Sequence, residues 1–120
     1  MSEKTIVEED LTILQGSTYD HEFDVTSESD GEPYDLTGFA ARMQIRDRKT
    51  GTTKYYDIDS GSSADISVDT VNKKVKLSVP ASVSSGWSFS EGDYDIEIYL
   101  GAFVARIIEG VVILDPEVTK

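Results

Sequence analysis

A chain of 120 residues with 38% apolar and 9% aromatic side chains can bury one packed core and is too apolar to remain unfolded. Its 23 acidic against 11 basic residues give a net charge of −12, which repels a phosphate backbone and argues against nucleic acid as a partner. No cysteine is present, so disulfides and thiolate metal sites are excluded, and no apolar run reaches the ~20 residues that a membrane span needs.

The opening Met1-Ser2-Glu3-Lys4 has no basic stretch leading into an apolar one, so no secretory leader is expected. Together with the missing cysteines this suits synthesis in a reducing cytoplasm. Residues 1–120 read as a single domain, with an amino-terminal arm over residues 1–10. Residues 6–14 are apolar and acidic by turns, and Gln15-Gly16-Ser17 makes a bend. Tyr19, His21, Phe23 and Val25 then alternate with Asp20, Glu22, Asp24 and Thr26, the pattern of a half-buried strand. Ser29-Asp30-Gly31-Glu32-Pro33 is a turn by its chemistry.

After a Leu36-Thr37-Gly38 corner comes a second alternating strand. Phe39, Ala41, Met43 and Ile45 point one way; Ala40, Arg42, Gln44 and Arg46 point the other. Lys49-Thr50-Gly51-Thr52 predicts a hairpin loop that returns through Tyr55, Tyr56 and Ile58. Ile66 and Val68 form a short strand, and Val75, Leu77 and Val79 come back from a turn over residues 69–73. The small residues of 80–91 allow at most one helical turn.

Tyr94, Ile96, Ile98 and Leu100 alternate with Asp93, Asp95, Glu97 and Tyr99, and Gly101-Ala102 fits a two-residue type II′ turn. That register sets Leu100 opposite Phe103, Ile98 opposite Ala105 and Ile96 opposite Ile107, with Glu97 and Arg106 as an ion pair on the outer face. Gly110 reads as a bulge, and residues 111–114 are apolar on both faces. About nine short strands without a convincing helix predict an all-β fold, a two-sheet antiparallel sandwich.

Chemistry-bearing motifs are sparse. His21, the only histidine, lies in phase with apolar neighbours and reads as a strand residue rather than a base. No Gly-x-Ser-x-Gly elbow and no phosphate-cradling glycine loop occurs. Asp93, Asp95 and Glu97 share one strand face, where alternation makes them solvated rather than a catalytic pair. Asp57, Asp59, Asp65 and Asp69 lack the spacing of a dedicated calcium loop. No catalytic residue, cofactor site or metal site is therefore assigned. Trp87, beside Phe89, either anchors a partner or sugar or caps an end of the sandwich, with the cap favoured.

Three segments carry a resemblance that spans nearly the whole chain: residues 11–19 (Leu-Thr-Ile-Leu-Gln-Gly-Ser-Thr-Tyr), residues 31–46 with their Asp-Leu-Thr-Gly corner and Ala-Arg-Met-Gln-Ile-Arg strand, and residues 94–98 leading into 104–119 with their Pro-Glu-Val-Thr ending. Together they resemble the family of tailed-bacteriophage long-tail-fibre connector and tail collar proteins, related to the amino-terminal domain of baseplate upper proteins. Residues 50–92 depart most from that pattern. The resemblance implies an immunoglobulin-like β-sandwich in the virion, without catalytic residues or cofactor, that attaches fibres or adhesins to the tail, collar or baseplate.

The implied partners are other virion proteins, and symmetric assembly implies a homo-oligomer. Candidate contacts are the segment 6–14, the strand 111–114 and the tail 116–120, with Ile6, Leu11, Ile13, Val112, Leu114, Pro116 and Val118, together with Trp87, as interface residues. The strand 111–114 reads equally as a central strand covered on both faces. A receptor- or carbohydrate-binding module and a capsid-surface decoration protein are the alternatives.

Overall fold

Segments that alternate apolar and polar side chains become strands because two apolar faces can close on each other. The computed structural model describes residues 7–26 and 31–116. In chain order the elements are β1 (Val7–Glu8), β2 (Leu11–Leu14), β3 (Tyr19–Asp24), β4 (Ala40–Arg46), β5 (Lys54–Asp59), β6 (Ile66–Asp69), β7 (Lys74–Val79), α1 (Ala81–Ser84), β8 (Glu91–Leu100) and β9 (Phe103–Asp115).

These nine strands make an all-β sandwich. The six-stranded sheet places β1 and β2 on β9, followed by β8, β4 and β5; the three-stranded sheet runs β3-β7-β6. Phe23, Val75 and Leu77 of the small sheet meet Ala41, Met43, Ile45, Ile96 and Ile98 of the large one, and none is more than 1% exposed. Burying each large side chain of this kind contributes about 1.5–3 kcal/mol. The single turn α1 after Pro80 is all the helix the described residues contain, as the small-residue run predicts.

The Asp-Leu-Thr-Gly corner is a plug. The Asp35 carboxylate accepts the Thr37 N–H at 3.0 Å and the Thr37 hydroxyl at 2.7 Å. That local turn brings the Phe39 N–H onto the Leu36 carbonyl at 2.9 Å. Gly38 supplies the left-handed backbone needed there, with φ 83°. Leu36 is thereby driven fully into the core.

The hairpin between β8 and β9 is closed by Gly101 at φ 59°, with Ala102 outside the left-handed region, as a type II′ turn requires. Leu100 faces Phe103, Ile98 faces Ala105 and Glu97 faces Arg106 as expected, but Ile96 faces Ile108 rather than Ile107. The register shifts between Ile96 and Glu97, so the bulge sits at Ile107 and not at Gly110. One extra residue there lets both Ile107 and Ile108 be buried.

The sheet edge also differs from an all-antiparallel reading. β1 and β2 run parallel to β9 in one continuous register, Val7 opposite Ile108 and Leu11 opposite Val112. Pairing breaks only near Gly110, where the Glu9 carbonyl occupies the space of the missing side chain. The Tyr94 hydroxyl donates to that carbonyl, and the Val111 N–H donates to Asp10 Oδ1 at 3.0 Å. Residues 7–10 of the expected arm are thus tied to the large sheet.

Candidate functional site

Four of the interface residues expected from sequence lie in the core instead. Leu11, Ile13, Val112 and Leu114 are between 0 and 5% exposed. Parallel pairing of β2 with β9 puts Leu11 beside Val112 and Ile13 beside Leu114, all on the inner face. The apolar excess of these segments is consumed by their neighbours, not left for a partner. Pro116 is exposed and ends the described chain; Ile6 and Val118 lie outside the described residues. On the outer face of the same strands Leu14 and Ile113 are exposed, so residues 111–114 are covered on one face only.

Trp87 is half-buried and packs against the core. Its ring stands edge-on to Tyr56 at 5.2 Å and tilts against Phe89 at 5.1 Å, while Phe89 stacks flat on Tyr55 at 4.4 Å. Gln15 ties this group to the amino-terminal edge by donating to the Trp87 carbonyl at 2.9 Å. Among these rings only Tyr55 and Phe89 turn their faces on each other.

The described acidic side chains are held on strand surfaces and turns. Asp59 accepts the Gly61 N–H at 2.8 Å and the Tyr99 hydroxyl at 2.7 Å, and these two bonds hold its carboxyl below the usual range. Asp65 accepts the Tyr56 hydroxyl at 2.6 Å. Burial, and then that charge-bearing bond, pushes the Tyr56 phenol far above its ordinary value. Asp69 accepts backbone and side-chain donors of Asn72 and lies 3.2 Å from Lys76 Nζ, while Asp57 pairs with Lys54. The four aspartates weighed for calcium are dispersed among these separate partners.

Asp93, Asp95 and Glu97 do share the outer face of β8, but their counter-ions differ from the expected set. Glu97 pairs with Arg42 of β4 at 2.8 Å, and Arg42 also lies over the Tyr99 ring at 4.9 Å. Arg106 turns away along β9, its Nη1 3.3 Å from Glu109 and its Nε 3.5 Å from Asp95. The Nε is enclosed without a hydrogen bond, so the Asp95 contact is Coulombic in kind. Burial, reinforced by the Glu97 charge, raises the Asp95 carboxyl, and Arg106 opposes that shift.

A groove of about 260 Å³ crosses this outer face, with Asp93, Asp95 and Glu109 on its floor and Glu8 and Asp10 on one wall. Arg46 and Lys49 enter from the other side. The Lys49 N–H donates to Asp93 at 2.8 Å while its ammonium reaches Glu109 at 3.3 Å, so the loop after β4 straps the groove with the protein's own cation. His21 lies away from it, between the sheets, its Nε2 2.6 Å from Glu9 and its ring stacked with Tyr19.

One exposed feature escapes the strand-by-strand reading. Leu100, Phe103 and Val104, at the β8–β9 hairpin, are each nearly half exposed. Charge gives no signal for it, since residues 11–19, 36–46 and 70–90 are equally free of acids. No model of a known protein family matches this chain, and no curated protein does.

Proposed function

We propose that this protein is a non-enzymatic structural component of a tailed-phage virion, connecting tail fibres or adhesins to the tail, collar or baseplate. The observation that carries the reading is where the resembling segments fall. Residues 11–19, 31–46, 94–98 and 104–116 are dispersed in sequence, yet they supply the adjacent strands β2, β9, β8 and β4 of one sheet. The residues of least resemblance, 50–92, supply β5 at the far edge of that sheet together with β6, β7 and α1. A shared run of neighbouring strands with a divergent remainder fits a scaffold whose connecting role lies in its architecture.

The arrangement of charge supports the same reading. Carboxylates lie on sheet surfaces beside arginine and lysine partners, which suits a rigid, highly soluble subunit. The alternative of a receptor- or carbohydrate-binding module rests on Trp87 and its aromatic neighbours, but Trp87 packs against the core and the Phe89 face is taken by Tyr55, which leaves less aromatic face for a sugar. Immunogold labelling of purified particles, from the lysate that carries the gene, tests the proposal. Label at the tail, collar or baseplate is expected; label on the capsid shell would favour decoration, and label nowhere would end the virion reading.

A further inference from the structure

Strand β5 ends the large sheet on the side away from β9, and among the described residues nothing pairs with its outer edge. The chain on either side of it is committed elsewhere. In the loop that enters β5, the Lys49 N–H is fastened to Asp93. The chain that leaves it turns back at once, with the Ser62 and Ser63 N–H on the Asp59 carbonyl and the Ser78 N–H on the Asp65 carbonyl. Val7 and Pro116, at the ends of the described chain, lie on or beside β9, and β8 and β4 stand between them and β5. Thr26 and Pro33 bridge beside β3, in the other sheet. The β5 edge is thus bounded by described chain at both ends.

Register shows what this edge offers. The Ser60 N–H donates to the Ala41 carbonyl at 2.8 Å and the Asp47 N–H to the Thr53 carbonyl at 3.1 Å. Bonding to β4 therefore falls on Met43 with Ile58 and on Ile45 with Tyr56, which turns the N–H and C=O of Asp57 outward. Between Tyr56 and Lys54 the strand holds one extra residue, Tyr55, and this bulge brings Lys54 onto the face of Asp57. Their side chains, each about half exposed, lie 3.4 Å apart. A bulge and two charges guard an edge against strands in general. They do not guard it against a strand that presents the same two charges in reverse order.

We propose that a second copy of this chain pairs with β5, the two strands running antiparallel about a two-fold axis at Tyr56. In that register Asp57 stands opposite the bulge of the second copy, on the face that Lys54 occupies there, and the reverse. One ion pair formed along each strand gives way to two formed between directly opposed residues. Tyr56 meets its own copy at the axis, and about four backbone hydrogen bonds form. The free edges of the small sheet offer no such match: β3 carries Asp20, Glu22 and Asp24, and β6 carries Asp69 without a lysine. Chains of charge −12 repel one another over most of their surfaces, so a local match of charge decides where two can approach. The contact is isologous and closes on itself, joining two large sheets into one. For its place in a particle it rests on the assembly role proposed above; the pairing itself is a property of the edge.

Light scattering on the eluting protein over a concentration series reads the association, and far-UV circular dichroism melts confirm that each variant is folded. The wild-type chain is expected to dimerise, and its Asp57 amide to gain protection from hydrogen exchange as concentration rises. Asp57→Lys sets lysine against Lys54 of the second copy, and Lys54→Asp sets aspartate against Asp57, each twice in one dimer. Either should weaken dimerisation by at least about tenfold. Mixed in equal amounts, the two variants should form a one-to-one dimer, because every opposed pair is then of unlike charge.

A wild-type monomer at every concentration, a dimer indifferent to both substitutions, or variants that stay apart when mixed would overturn the proposal. So would a dimer whose Asp57 amide exchanges as fast as in the monomer, since another surface would then hold it. Dimerisation through β5 with no label on particles would sink the virion reading alone; label on particles with no such dimer would sink this one.

Discussion

Gly110 and Glu9 are packed backbone to backbone: the Glu9 carbonyl fills the space that a side chain on residue 110 would need. Neither partner can yield easily. Gly110 is held opposite Tyr94 in the β8–β9 ladder, and the Glu9 N–H donates to the Glu109 carbonyl at 2.9 Å. Gly110→Ala is therefore expected to cost about 1–3 kcal/mol, through overpacking that pushes β1 off the sheet. Urea unfolding would read the loss, and hydrogen exchange should show the Glu9 amide losing protection first. An alanine variant as stable as the wild type would mean that the edge is looser than this contact requires.

The outer-face ion pairs give a sharper test, because Glu97 has two cations as strand neighbours and contacts one. Arg42 and Arg106 stand opposite Glu97 on β4 and β9, yet the carboxylate lies 2.8 Å from Arg42. A double-mutant cycle on Arg42→Ala and Glu97→Ala should give a coupling of up to about 1 kcal/mol, the range of a partly exposed pair. The same cycle with Arg106→Ala should give near-zero coupling. Coupling that followed Arg106 instead would mean the side chains exchange partners in solution.

That difference shows where a sequence is legible and where it is not. The burial of Ala41, Met43 and Ile45, and the turn at Gly101, follow from alternation and local turn chemistry, which act within a few residues. The neighbour of Glu97 across the other edge of β8 depends on which distant strand docks there, and alternation in β4 is the same wherever it docks. Leu11 and Ile13 fail as interface candidates for a like reason. Their period of two is identical in a parallel or an antiparallel edge, so it says they share a face but not that Val112 and Leu114 cover it. Gly110 is ambiguous at source, since a strand glycine serves a bulge and a close backbone approach equally well.

Two aspartates should give pH dependences of opposite sign. Asp59 is held below the usual carboxylate range by the Gly61 N–H and the Tyr99 hydroxyl. Its contribution is present above the ordinary aspartate value and lost as pH falls through the lowered one. Asp95 is raised by burial and by Glu97, so its contribution is full below the ordinary value and lost as pH rises through the raised one. Urea unfolding at a series of pH values should show Asp59→Asn flattening the acid limb. Asp95→Asn should gain on the wild type as pH rises toward neutrality, modestly, because a side chain 37% exposed is well screened. Parallel pH curves for both variants would remove the assigned causes.

The edge residues separate packing from assembly. Ile13 and Val112 are fully buried, while Val104, on the same sheet, is nearly half exposed. Ile13→Ala should cost about 2–4 kcal/mol, because a cavity at a closed sheet interface cannot collapse onto the paired backbone around it. Val112→Ala removes less volume and should cost less. Neither should alter the association state of the folded protein, since neither side chain reaches the surface. Val104→Ala, at an exposed position, should change stability by under about 0.5 kcal/mol as surface substitutions do. Should Ile13→Ala dissociate an assembly while the subunit stays folded, the inner face of β2 must open on association, and the sandwich would be a less closed body than its core implies.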